Sequence, residues 1–115
     1  ILIKYQKNIY TFIKNSIGLI STSLWEDPGF VMVEAAASNT FVISSDCPCG
    51  PKEFVGNNSG LLFKNNNLNS LEENILKYLA MESDQIRKYK VNAKRKSINF
   101  TKLRHYNILV NYLKK

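Results

Sequence analysis

Three short apolar runs punctuate the first half of the chain: residues 17–21, 41–44 and 61–63. Their length and β-branched content suit buried strands. The segments between them carry helical rather than alternating patterns. Ile9, Phe12 and Ile13 recur at helical spacing with Lys7 and Lys14 turned to water, which predicts a packing helix over 8–15. Pro28 and Gly29 break the chain, and the Ala-rich stretch Phe30–Ala37 then suits a buried helix. Ser38-Asn39-Thr40 ends it with turn-forming residues, and Pro51 opens a short helix through Val55. Gly56–Gly60 is a turn by composition. Asn69 or Ser70 is the expected cap of the next helix, with Glu72 and Glu73 in its first turn. Its apolar stripe is Leu71, Ile75, Leu76 and Leu79. From Ser83 to Ser97 a basic helix keeps Ile86, Tyr89 and Ala93 on one side. A terminal amphipathic helix over 99–113 carries Phe100, Leu103, Tyr106, Val110 and Leu113, and needs a partner surface.

Two strands joined through a helix form a right-handed unit with both strand C-termini on one edge of a parallel sheet. Ligands of open α/β sheets bind at that edge. The loops 21–26 and 46–52 are therefore expected to face one cleft. The first amides of a helix have no intrahelical acceptor and carry the positive end of its dipole, so the start of Phe30–Ala37 is a natural seat for phosphate. Glu34, one turn in, is placed to accept hydrogen bonds from two adjacent ribose hydroxyls. Glu26, in the loop, is placed to do the same for a second sugar, the two carboxylates sharing one hollow.

At 115 residues the chain is the size of one domain. No apolar run approaches the roughly 18 residues needed to span a bilayer, and no signal peptide is visible. The net charge of +7 is uneven: residues 1–63 hold four Lys against five acids, residues 64–115 twelve Lys or Arg against four. A basic half of this kind is most often a solvated helical face. Attraction to an anionic membrane and attraction to nucleic acid are the other readings of such a half, and no recognised nucleic-acid motif accompanies it. Cys47 and Cys49 are one residue apart, an awkward closure for a disulfide, and no second pair or His cluster completes a zinc site. Two free thiols in a reducing compartment are expected. His105, the single histidine, is assigned no chemistry.

Ser21-Thr-Ser-Leu-Trp-Glu26, Gly29-Phe30, Glu34-Ala35 and Phe41-Val-Ile-Ser-Ser-Asp46 together resemble the donor-site signature of family 4 glycosyltransferases. Glu26 and Glu34, with seven residues between them, match that family's paired glutamates. Asp46-Cys-Pro-Cys-Gly-Pro-Lys-Glu53 is similar to the version found in bacterial enzymes that build surface polysaccharides such as lipopolysaccharide or capsule, and Gly60-Leu-Leu-Phe63 matches the next short strand. The resemblance covers roughly residues 9–80. It implies an α/β fold: a partial Rossmann-like lobe with about three parallel strands, flanking helices and a helical C-terminal half. Residues 1–115 would be the C-terminal, donor-binding lobe of a retaining GT-B enzyme, without the acceptor lobe and inactive as the isolated fragment. The implied reaction moves a hexose from a nucleotide-sugar, UDP-linked by expectation, to a glycan or lipid-linked acceptor with retention of configuration. The alternative is a non-catalytic nucleotide-sugar-binding or interaction module of the same fold.

By the same resemblance Glu26 is the catalytic candidate. Glu34, Pro28, Gly29, Phe30 and Val31 are the donor-binding set, and Asp46, Gly50 and Lys52 form a second wall. Glu53 and Lys52 also have plain structural explanations, as a helix-dipole partner and a solvated cation. No metal or other cofactor is implied, since there is no Asp-X-Asp triplet and the nucleotide-sugar is a substrate. Partners would be the donor and an acceptor held by the missing lobe, with peripheral contact to an anionic membrane and no nucleic acid. The implied location is cytoplasmic, at the inner face of the membrane. The basic pair that the family places on the diphosphate has no match in residues 1–16.

Overall fold

The computed structural model describes residues 1–27, 29–56 and 58–114. Its centre is a parallel sheet of three strands in the order β1 (Gly18–Ser21), β2 (Phe41–Ser45), β3 (Leu61–Phe63). Gly18 stands opposite Phe41 and Ser21 opposite Ser44, while Ile43 stands opposite Leu61 and Ser45 opposite Phe63. All five residues of β2 are buried, as a central parallel strand covered on both faces requires. Side chains alternate across the sheet. Val42 packs with Met32, Val33, Ala35 and Ala36 of α2 (Phe30–Ala37) and with Phe54 and Val55 of α3 (Pro51–Val55). Phe41, Ile43, Leu61 and Phe63 face the other way, onto Leu71, Ile75 and Tyr78 of α4 (Leu68–Leu79).

Local chemistry explains the element ends. Asn39 adopts φ +62° after α2, so that the Thr40 amide reaches the Ala35 carbonyl at 2.9 Å and the Asn39 amide the Ala36 carbonyl at 3.0 Å. The buried Thr40 hydroxyl then donates to the Ile13 carbonyl at 2.8 Å, tying α1 (Tyr10–Lys14) to the start of β2. At the turn before β3, a Cβ on Gly60 would stand 2.8 Å from Val55 Cγ1, so only glycine fits there without displacement. The part of that turn expected at Asn57 lies outside the described residues.

α5 (Ser83–Ser97) wraps from one face of the sheet to the other. Its Ile86 and Tyr89 join the α4 cluster, whereas Ala93 joins the α2 cluster. Lys96 of α5 donates to the Glu53 carbonyl of α3, and Asn92 to the Asn58 carbonyl at 3.3 Å. A 3-10 turn, Ile98–Phe100, sets the Phe100 ring edge-on to Phe54 at 5.4 Å. α6 (Lys102–Leu113) follows.

Three sequence expectations are corrected here. The cap of α4 is Asn67, whose side chain accepts from the Ser70 amide at 2.8 Å, not Asn69 or Ser70; Glu72 and Glu73 consequently lie beyond the first turn. Ser70 is instead occupied as acceptor for the Lys64 amide. The core-facing stripe of α4 is the half-buried set Leu71, Ile75 and Tyr78, while Leu76 and Leu79 are 58% and 64% exposed. Tyr78 is drawn in by the Phe41 ring, 4.5 Å away, and by the Ile17 carbonyl. The expected helix over 99–113 is interrupted at Thr101, which leaves the helical region and accepts from the Arg104 amide at 3.4 Å.

The Tyr78 hydroxyl donates to the Ile17 carbonyl at 2.6 Å, and burial raises its pKa above the ordinary 10.0. Because the folded state holds this proton to higher pH than the unfolded chain, its contribution is intact below pH 10.0 and is lost as pH rises through the raised value. Tyr78→Phe keeps the ring contact and loses the bond, so the stability loss should be about 0.5–1.5 kcal/mol near neutral pH. It should appear as a lower urea midpoint with an unchanged slope, and the loss of stability above pH 10.0 should be shallower than in the parent.

Candidate functional site

Parallel pairing brings the C-terminal ends of all three strands to one edge, where each ends in, or leads into, a polar group. β1 ends at Ser21, β2 at Ser44 and Ser45, and β3 leads to Asn65. These residues knit the loops together. The Ser45 hydroxyl donates to the Ser23 carbonyl at 2.5 Å, and the Ser23 hydroxyl donates to Glu26 Oε1 at 2.6 Å. Ser21 Oγ lies 3.3 Å from Ser23 Oγ, and the Glu26 amide reaches the Pro48 carbonyl at 3.4 Å. Asn65 donates its side-chain amide to the Leu24 carbonyl at 3.1 Å and its backbone amide to Asp46 Oδ1 at 2.7 Å. Loops 21–26 and 46–52 therefore sit side by side, as the topology requires.

Gly29 is buried and left-handed, φ +77°, immediately before α2. A Cβ there would press on the Met32 methyl and stand 3.4 Å from Glu26 Oε2. Glycine thus lets the chain turn into the helix and keeps that side of the carboxylate open. Phe30 is exposed and Val31 is half-buried; of the first-turn amides, that of Met32 is taken by the Gly29 carbonyl at 3.1 Å. Pro28 lies outside the described residues.

The second wall is tied down. Asp46 accepts from Asn65 through Oδ1 and pairs through Oδ2 with Lys52 Nζ at 3.8 Å, so the ammonium group is already held beside a carboxylate. Gly50 adopts φ +122°, preceded by Cys49 at φ +63°, and its carbonyl accepts from the Phe54 amide as α3 begins. Cys47 is buried and Cys49 exposed, both as free thiols. No three His, Cys, Asp or Glu side chains form a metal-sized cluster among the described residues.

Glu34 is half-buried on the outer face of α2 and lines a cleft of about 1030 Å³, a volume at the upper end for small-molecule sites. Phe30, Val33 and Ala37 share that face of α2. The opposite walls come from Tyr10, from Lys94 and Ser97 of α5, from the Ile98–Phe100 turn, and from Lys102, His105 and Ile108 of α6. Three basic side chains thus border the cleft that holds one glutamate. Glu26 is not among its lining residues: it belongs to the loop network on the sheet edge. The expectation that the two carboxylates share one hollow is thus corrected: the cleft at Glu34 does not extend to Glu26.

Ser23, Ser45 and Asn65 are the site residues that sequence reading missed. Ser23 falls inside the Ser21–Glu26 stretch that carries the family resemblance, but its pairing with the Glu26 carboxylate has no local sequence signature. Nothing local marks Ser45 or Asn65, whose partners lie 22 and 41 residues away.

Known proteins are similar to this chain in sequence and in fold. The chain is 41% identical over 54 residues to an uncharacterized glycosyltransferase of Methanocaldococcus jannaschii, covering 47% of this chain and 13% of that protein. It is 37% identical over 59 residues to the poly(ribitol-phosphate) alpha-N-acetylglucosaminyltransferase of Staphylococcus aureus, covering 50% and 12%. Among solved structures it superposes on the S. aureus TarM G117R mutant, solved with Fondaparinux, alpha-GlcNAc-glycerol and UDP, with a TM-score of 0.80 at 26% identity, covering 96% of this chain and 22% of that one. A glycosyltransferase from Rickettsia africae gives a TM-score of 0.73 at 25% identity, covering 82% and 25%. The chain thus spans about an eighth to a quarter of the length of these relatives. The family model described as glycosyl transferases group 1 matches residues 1–96, and the chain belongs to that family.

Proposed function

We propose that this chain is the donor-binding lobe of a retaining GT-B glycosyltransferase of family 4, acting with an acceptor lobe outside these 115 residues. The observation that carries this proposal is the placement of Glu26 and Glu34. One carboxylate is locked into the loop at the sheet edge; the other lies one turn into the helix that starts beside it, bordering a nucleotide-sized cleft. The donor is a UDP-linked hexose, in keeping with the UDP complex of TarM. The acceptor is a glycan or lipid-linked acceptor of bacterial surface-polymer synthesis; the S. aureus relative is named for transfer to a polymer, poly(ribitol-phosphate).

In this scheme Glu34 accepts hydrogen bonds from the ribose hydroxyls, and the amides around Gly29–Val31 face the diphosphate. Preorganised donors of this kind stabilise charge as it develops on the leaving group. Glu26 orients hydroxyls of the transferred sugar and lends negative charge near the anomeric carbon. The bond from that carbon to the diphosphate breaks as the bond to the acceptor oxygen forms on the same face, and the acceptor proton passes to the leaving phosphate. No metal is needed where helix amides and basic side chains carry the charge.

In the polypeptide that carries this lobe with its acceptor lobe, Glu34→Ala should raise the donor KM about tenfold or more with little change in the acceptor KM, as expected for loss of hydrogen bonds to a charged group. Equal weakening of both substrates would remove Glu34 from the ribose site. Glu26→Gln should cut kcat about 100-fold while leaving the thermal midpoint in place, a loss within the usual range for a preorganised electrostatic group. Turnover near the parental rate would take Glu26 out of the reaction. Binding of UDP by the unsubstituted protein without sugar transfer would assign it to the non-catalytic alternative.

A location at the cytoplasmic face of an anionic membrane is part of the same proposal. No helix among the described residues is long and apolar enough to cross a membrane. Residues 85–115, however, hold ten Lys or Arg and no Asp or Glu, and α6 leaves Leu103, Tyr106 and Leu113 exposed. Cationic helices with exposed apolar residues suit an interfacial position. The protein should co-sediment with phosphatidylglycerol vesicles and not with phosphatidylcholine vesicles. At about 1 kcal/mol for each basic residue near the surface, replacing Arg87, Lys88 and Arg95 with Gln should weaken that binding roughly tenfold or more.

A further inference from the structure

We infer that Ser23 is a positioning residue for Glu26, fixing one carboxylate oxygen so that the other is left for the sugar; the inference rests on the role proposed for Glu26 above. An ionised carboxylate can only accept hydrogen bonds, so in the 2.6 Å contact the Ser23 hydroxyl must be the donor to Glu26 Oε1. That donation leaves Ser23 Oγ as the acceptor toward Ser21 Oγ at 3.3 Å, and Ser21 is itself buried. The chain of hydroxyls therefore has one polarity, from Ser21 to Ser23 to Glu26, and ends on Oε1.

The backbone of Ser23 is held as firmly as its side chain. Ser45, at the end of the fully buried central strand and only 1% exposed, donates to the Ser23 carbonyl at 2.5 Å. A residue on the fully buried central strand thus sets the height of the loop above the edge, and the loop hydroxyl sets the rotation of the carboxylate. Glu26 Oε2 has no hydrogen-bond partner among the described residues, and it faces the side where Gly29 lacks a Cβ. One oxygen is engaged by protein; its twin is presented at the start of α2, where a sugar hydroxyl is expected. Supporting groups of this sort matter because a catalytic carboxylate must be held to within a fraction of an ångström.

The test uses the polypeptide with both lobes, assayed by UDP release from UDP-N-acetylglucosamine and from UDP-glucose. Ser23→Ala should lower kcat about tenfold or more, as expected for loss of a hydrogen bond to a charged group, with the donor KM changed less than about twofold. Ser23→Thr, which keeps the hydroxyl, should restore most of the rate. In a Glu26→Gln background, Ser23→Ala should add little further loss, because the two side chains act as one unit. Equal losses in both backgrounds, or failure of threonine to rescue, would show a general folding role and overturn the inference. Should Ser23→Ala not fold, Ser45→Ala carries the test through the backbone tie: a folded variant with an undiminished rate would equally overturn it. If Glu26→Gln itself retains the parental rate, or neither donor is turned over by the unsubstituted enzyme, the proposed reaction fails rather than the positioning alone.

Discussion

The parallel pairing of β2 with a strand on each side is the constraint on which the rest of the molecule depends. It buries five consecutive residues and leaves their alternating side chains two unlike environments to fill. Val42 meets the small-residue face of α2, whose alanines allow close approach, while Phe41 meets the rings of Tyr78 and Tyr89 at 4.5 and 5.6 Å. Parallel strands also point all their C-terminal ends the same way. A functional edge follows from that packing before any functional residue is considered.

That edge is polar where the rest of the sheet is apolar, and this has a cost. Ser21, Ser44 and Ser45 are buried, and a buried hydroxyl without a partner is destabilising by roughly 1–3 kcal/mol on the evidence of mutational data. Each is therefore engaged: Ser45 with the Ser23 carbonyl, Ser21 with the Ser23 hydroxyl, and Ser44 with the neighbouring Ser45 carbonyl at 3.2 Å. The same bonds that satisfy these hydroxyls carry the order of the central strand outward into the loop that bears Glu26. Asn65 adds a third tie from the far strand, reaching Leu24 and Asp46, although its own Oδ1 stays without a partner among the described residues. Three loops from three strands are thereby held in register with one another.

The C-terminal helices contribute differently. α5 is a strap that touches both clusters of the core, and beyond it the Ile98–Phe100 turn and α6 close one side of the cleft at Glu34. Charge accumulates on this part of the chain because little of it is needed for the core. Of α5, only Ala93 and Ser97 are buried, and α6 buries none of its residues. The family relationship accounts for the sheet and its edge, since the matched region ends at residue 96, just before the turn that leads into α6.

Short β-branched apolar runs, helical spacing and the Pro, Gly and Ala signals of the sequence were enough to place the three strands, the helices Phe30–Ala37, Pro51–Val55 and Ser83–Ser97, and their α/β order. Each records a segment's own backbone preference and the face it hides from water. The side-by-side placement of loops 21–26 and 46–52 followed as well, since right-handed parallel crossovers leave no other arrangement. Tertiary structure decided whatever depended on a partner distant in the chain. Leu76 and Leu79 fit a helical stripe as well as Tyr78 does, and only the Phe41 ring and the Ile17 carbonyl select Tyr78. The anchoring of Glu26 through Ser23 to Ser45 arises because two strand ends meet, and the cleft forms at Glu34 and not at Glu26 because α5 packs on α2 and the chain beyond it walls that side. A local pattern reports a segment's own exposed and buried faces; which residues stand across from it depends on contacts that form only when the whole chain closes.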